Sequence, residues 1–255
     1  MLYEPAGRSK AIVDIVFLHG LIGNAYTTWL HEPTNIHWPS TCLKDRVPDS
    51  RIISFGYDAA VVGWWHQRST NRVANHANDM IGALVRLREN TGTEDRKIIF
   101  VAHSLGGLVT EAAIALSRHS PFEHIRQIEK HTVGIVFMGT PHLGADAAKW
   151  TTFITRLINA VKQTNINIVE VLRPDSEMLE LIQKDFQSIL RQRIDEQQPI
   201  QITCFFEQLS MKVVGDVGML VQLQRSRLLT LSRSSLKSQQ FYNHIVAMEF
   251  TPTTG

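Results

Sequence analysis

Cysteine is nearly absent from this chain. Its two residues, Cys42 and Cys204, lie far apart, within or beside apolar segments. Two such thiols exclude the disulfide framework of a small secreted domain, and they read as buried thiols suited to a reducing compartment. Neither sits in a metal-ligand spacing, so no metal and no cofactor is expected. An excess of one charge sign is missing too, with a formal net charge of +2. Without a basic stripe, nucleic acid is excluded as the main partner. No apolar run reaches the roughly 18 residues of a membrane-spanning helix. The N-terminal Met1–Lys10 has no apolar core and carries Glu4, unlike a secretory signal. The expectation is an intracellular protein, with peripheral contact to a membrane left open.

What is present is an ordinary globular composition, 44% apolar and 20% charged over 255 residues. That length suits one large α/β domain with a sizeable core. Ala11–Leu18, Arg51–Asp58, Ile98–Val101, Val133–Met138 and Ile200–Phe206 read as strands. Apolar residues recur at helical spacing over Asn71–Asn90 and Leu105–Ser117, and Glu123–Lys130 is a more polar helical stretch. Ala145–Val161 and Ser176–Arg191 are amphipathic as well. They are either a helical cap over 145–195 or two further layer helices. Trp29–Asp49 reads as an irregular crossing, and Trp64 and Trp65 as a pocket mouth or plain packing. Alternating strands and helices predict a mostly parallel sheet with helices on both faces and a site at its carboxyl edge. The organisation expected is an N-terminal extension over 1–10, one domain over 11–217 and an atypical tail over 218–255.

The sharpest signal is Ile98-Ile-Phe-Val-Ala-His-Ser-Leu-Gly106. A buried strand runs without a spacer into Ala102-His-Ser-Leu-Gly106, and a helix follows at once. This is the nucleophile-elbow pattern, with Ala102 in the place of the first glycine. A tight strand-to-helix turn demands small residues two before and two after Ser104, which Ala102 and Gly106 satisfy. It exposes the serine hydroxyl and leaves the Leu105 N–H, at a helix start, free for an oxyanion. After the first strand, His19-Gly20-Leu21 bends back over that turn, with the Leu21 N–H as second oxyanion donor. His19 is expected to shape this loop and not to act as the base. His142, in Gly139-Thr-Pro-His142, is either a catalytic base or a loop brace.

In combination and order, the elbow, His19-Gly20-Leu21, Gly139-Thr-Pro-His142 and Phe205-Phe-Glu207 resemble the serine-active-site-containing protein family. These are lipase-like α/β-hydrolases related to GPI-inositol deacylases. The resemblance covers roughly Ile12–Val217. It implies an α/β-hydrolase fold and hydrolysis or transfer of acyl esters on lipids. It also implies a link to the membranes of mitochondria and endoplasmic reticulum. Gly218 onward departs from the family pattern, with Asn243-His244-Ile-Val-Ala-Met248 the nearest match to its histidine loop.

Chain order in such hydrolases is serine, then acid, then histidine. His244 is the one histidine after His142, and Glu207 is favoured over Asp216 because it follows a strand directly. The expected triad is therefore Ser104, Glu207 and His244. A solvated strand-end carboxylate is the plainer reading of Glu207. The competing functional reading is an interaction or signalling module that has kept the fold and lost its base.

Overall fold

Six consecutive buried residues, Val13–Leu18, form β1. A strand buried on both faces has to sit inside a sheet. In the computed structural model its neighbours are β4 (Ser50–Phe55) and β5 (Lys97–His103), both parallel to it. Two short strands, β2 (Leu30–His31) and β3 (Ile36–His37), make a separate antiparallel pair. β6 (Thr132–Met138), β7 (Gln201–Glu207) and β8 (Val221–Leu223) complete a six-stranded sheet of order β4-β1-β5-β6-β7-β8. Every pairing is parallel except β7 with β8. The structure describes residues 1–5, 11–21, 23–57, 72–140, 177–207 and 221–223. Trp64, Trp65, His142, residues 145–176, Asp216 and His244 lie outside the described residues.

Alternation along β1 sends Val16 and Leu18 to one face, and Val13, Ile15 and Phe17 to the other. The first face is covered by α2 (Arg72–Thr91), α3 (Leu105–Arg118), α4 (Glu123–His131) and a helix over Glu177–Asp195, here α5. Almost the whole of α3 is buried, as befits the central helix. α5 adds Phe186 and Ile189 to the same core. Of the two readings for the 145–195 region, its second half is therefore a layer helix; the first half lies outside the described residues.

The opposite face is covered by residues 27–47. These form short 3-10 and π turns leading into α1 (Lys44–Arg46), with Trp29, Leu43 and Val47 buried against Phe17 and Ile52. Cys42 departs from expectation: it lies exposed in the π turn, while Cys204 is half-buried in β7.

The free edge at β4 is paired by the N-terminal residues, as Ile52 exchanges backbone hydrogen bonds with Tyr3 at 2.8 and 3.1 Å. A buried ion cluster closes the amino end of the sheet. Asp14 accepts bidentate bonds from Arg51 (2.8 and 2.7 Å), and further bonds from Arg88 (2.6 Å) and Arg96 (3.1 Å). A further arginine fastens α5: Arg193 donates to the carbonyls of Gln198, Glu129, Lys130 and Thr132 and to the Glu129 carboxylate.

Candidate active site

β5 ends on the carboxyl edge beside β1 and passes directly into Ser104, whose φ of 53° and ψ of −123° no L-residue adopts freely. Such a backbone costs about 1–3 kcal/mol and persists only where the surroundings impose it. Here the Ser104 N–H donates to the Met138 carbonyl (2.8 Å), and the Ser104 carbonyl accepts from the Gly107 N–H (3.0 Å). The turn is therefore pinned to β6 on one side and to its own helix on the other.

Small residues surround it, as the sequence pattern requires. A Cβ on Gly106 would lie 2.5 Å from the His19 carbonyl oxygen and 2.8 Å from that of Leu18. A Cβ on Gly20 would lie 2.8 Å from Ser104 Cβ and 3.2 Å from its Oγ. The loop after β1 thus crosses directly over the elbow. Gly107 is held equally close by the side chain of Thr140. Gly106→Ala is expected to cost about 1–3 kcal/mol or more, because the obstructing atoms are main chain and cannot swing aside. Gly82→Ala is the matched control: its Cβ would meet only Arg86 Nη1, at 3.5 Å. Gly92 would serve less well, since its φ of +59° penalises any side chain despite open space around it. Equal urea midpoints for the Gly106 and Gly82 variants would contradict the close crossing.

Leu105 opens α3, and Leu21 follows the crossing loop. Among the described residues neither N–H is engaged in a backbone hydrogen bond outside the regular elements. His19 has no ring nitrogen to spare. Its Nδ1 meets the Gly20 carbonyl at 2.7 Å, so it carries the proton there, and its Nε2 accepts from the Tyr57 N–H at 3.2 Å. Burial lowers the His19 pKa, against a smaller opposing effect of those bonds. Both ring nitrogens are thus committed to main-chain groups at the exits of β1 and β4.

Tyr57 is the residue the sequence reading passed over. Its ring stacks on His19 at 4.3 Å, and its hydroxyl donates to the His19 carbonyl at 2.7 Å. Burial pushes its phenol well above the ordinary value, so it stays a donor. Only its position just past a strand exit could have drawn attention to it.

Among the described residues no histidine is hydrogen-bonded to Ser104 Oγ. Glu207 stands at the carboxyl end of β7, paired in register with Val221. β6 joins the same edge, where the Gly139 N–H donates to the Phe205 carbonyl at 2.8 Å. β8 starts beside Glu207 and runs back toward the amino edge.

A nucleophile-elbow turn on a mostly parallel sheet, with a glycine loop crossing it, is the arrangement of an α/β-hydrolase fold. The family described as "Putative serine esterase (DUF676)" matches residues 9–210. The chain belongs to the DUF676 family. Protein SERAC1 of Bos taurus is 29% identical over 190 residues, covering 68% of this chain and 27% of that protein. SERAC1 of Homo sapiens is 28% identical over 190 residues, with the same coverage, and that of Danio rerio 27% over 198 residues, covering 71% and 29%. This DUF676 chain therefore spans less than a third of the length of these curated relatives. Among solved structures, a lipase-esterase related protein from Clostridium acetobutylicum ATCC 824 is 12% identical with a TM-score of 0.36, covering 78% of this chain and 76% of that one.

Among the described residues of this DUF676 member no helix is long and apolar enough to cross a membrane. Its histidines give it a pH signature. His19, His37, His103 and His131 all have pKa values lowered from 6.5, with burial the leading cause in each. Between the folded values and 6.5 the unfolded chain binds more protons, so stability rises with pH across that window. The contribution is complete above the unfolded value and is lost as the pH falls below it. The melting temperature should therefore drop on going from about pH 8 to about pH 5. A flat profile in differential scanning calorimetry would contradict neutral buried rings.

Proposed function

We propose that the chain is a serine hydrolase of the lipase or esterase type, which cleaves or transfers an acyl ester, with a lipid as acyl donor. Ser104 Oγ attacks the ester carbonyl while its proton passes to the imidazole of His244. Glu207 orients that imidazole. The Leu105 and Leu21 N–H groups receive the negative charge that develops on the carbonyl oxygen. Collapse expels the alcohol, which leaves with the proton from the imidazole, and water or a second alcohol then releases the acyl group.

The observation that carries this reading is the backbone of Ser104. A serine held at φ 53° under a crossing glycine loop is strain retained where it serves the chemistry. Labelling by a fluorophosphonate tests it, since only an activated serine reacts. Failure of the intact protein to label would overturn it.

One observation favours the alternative, an interaction or signalling module without turnover. β8 is antiparallel to β7 and leads away from the carboxyl edge on which Ser104 stands. The same labelling experiment separates the two readings. Association with mitochondrial or endoplasmic-reticulum membranes belongs to the proposal through the family resemblance.

A further inference from the structure

A neutral imidazole has one nitrogen that donates and one that accepts. At His19 the main chain occupies both. Nδ1 donates to the Gly20 carbonyl at 2.7 Å, and Nε2 accepts from the Tyr57 N–H at 3.2 Å. The residue is 0% exposed, so water cannot stand in for either partner. One neutral tautomer fits this arrangement, and the imidazolium does not. A proton on Nε2 would set one N–H against another, and the bond from Tyr57 would have to break.

Among the described residues nothing around the ring compensates a positive charge. Tyr57 stacks on it at 4.3 Å, and His76 of α2 packs on Tyr57 at 4.5 Å. From β5 comes His103, its pKa lowered by burial and then by the charge of His19. α3 presents Gly106, which has no side chain. No carboxylate is paired with His19 among these groups.

His19 is also where the crossing loop touches the elbow. Its carbonyl oxygen accepts from the Tyr57 hydroxyl at 2.7 Å. The same oxygen lies over Gly106, whose Cβ would come within 2.5 Å of it, and the next residue, Gly20, lies against Ser104. Tyr57 therefore holds His19 twice, by ring and by main chain, and the ring bond depends on protonation.

We propose that His19 is a proton-operated latch on the loop that crosses Ser104. Neutral, it ties the loop to the exit of β4. A proton taken from solvent onto Nε2 breaks the bond from the Tyr57 N–H, and the loop loosens from the elbow while the sheet stays folded. In acid the nucleophile thus loses its setting reversibly. The consequence for turnover rests on the esterase reading of Ser104; the latch itself does not.

Amide hydrogen exchange at Tyr57, corrected for the intrinsic effect of pH, tests the latch between about pH 8 and about pH 5. One proton taken up per opening should lower Tyr57 protection about tenfold for each pH unit. The Gly139 amide is the internal control, since it stands on the same edge and donates to the Phe205 carbonyl at 2.8 Å, which does not titrate. Its protection should fall far less. His19→Gln offers Tyr57 an amide oxygen that takes up no proton, and should flatten the Tyr57 profile. Tyr57→Phe keeps the ring and the main-chain N–H but removes the hydroxyl bond, so release should move to higher pH. That variant decides if the glutamine variant does not fold, and a release pH that stays in place then overturns the latch. A flat Tyr57 profile in the unaltered protein, one parallel to Gly139, or one with the same slope in His19→Gln also overturns it. Hydrolysis of p-nitrophenyl butyrate, as the ratio of the unaltered protein to His19→Gln, should fall over the same range. A constant ratio beside the expected exchange overturns the control of turnover alone. Neither hydrolysis nor fluorophosphonate labelling at neutral pH overturns the esterase reading, and the exchange profiles then decide the latch by themselves.

Discussion

Ser104→Ala is expected to abolish fluorophosphonate labelling and to lower acyl-ester hydrolysis by at least about 10⁴-fold. The fold should survive. Alanine keeps the Cβ, so the backbone at φ 53° is strained to the same degree before and after. The bonds that pin the turn are made by main-chain groups, from Ser104 N–H to Met138 and from Gly107 N–H to Ser104. Only a hydroxyl is lost, and the stability change should stay within about 0.5 kcal/mol. His244→Ala in the same assay should reduce the rate by on the order of 10²–10⁴-fold or more, as removal of a general base does. Undiminished hydrolysis of p-nitrophenyl butyrate by the Ser104 variant would sink the assignment of the nucleophile.

The largest loss of stability should come from the far end of the sheet. Asp14→Asn is expected to cost about 3–5 kcal/mol, because it removes the one carboxylate bonded to three buried guanidinium groups. Asparagine has nearly the same shape, so the effect comes from the lost charge and from an amide N–H that replaces one acceptor oxygen and faces guanidinium donors. Arg51 and Arg88 spend their other donors on Thr91, Thr93 and the carbonyls of Glu94 and Arg96, and they cannot turn away to water. Burial already lowers the Arg88 pKa, with the Asp14 charge the leading force against it. Asp185→Asn is the comparison, as it breaks only an exposed contact with His119 and should change stability by less than about 1 kcal/mol. A urea midpoint for the Asp14 variant as mild as that would mean that another anion, such as Glu4 at 3.9 Å from Arg51, takes over the charge.

The layout of the sheet was readable because its strands are short apolar runs and its helices keep a 3.6-residue stripe. Each of those patterns survives without knowing the neighbours. The elbow was readable for a similar reason: Ala102, Ser104 and Gly106 meet a steric demand local to five residues. Asp14 was not singled out, although a carboxylate inside an apolar strand has to find a cation, and Arg51 faces it directly across the β1–β4 ladder. Residues 27–47 carry no period at all. Their turns are held by contacts with a distant strand, Trp29 and Trp38 against Phe17, and by bonds such as His37 with Ser40 at 2.8 Å. Tyr57 matters through a partner 38 residues away, a distance that no local pattern spans. Glu207 and His244 came from chain order alone, and order places a residue on an edge without placing its side chain.

The two bonds and the ring stack between Tyr57 and His19 tie the exit of β4 to the exit of β1. The peptide that follows, carrying the Leu21 N–H, is thereby oriented by folding and not by the arrival of a ligand. Dipoles fixed in this way need no reorientation as charge appears on an oxygen, which is where most of their advantage over water lies. Under the proposed esterase reading, affinity for a planar ester and affinity for its tetrahedral successor then part company: a loop oriented beforehand would favour the second without tightening the first.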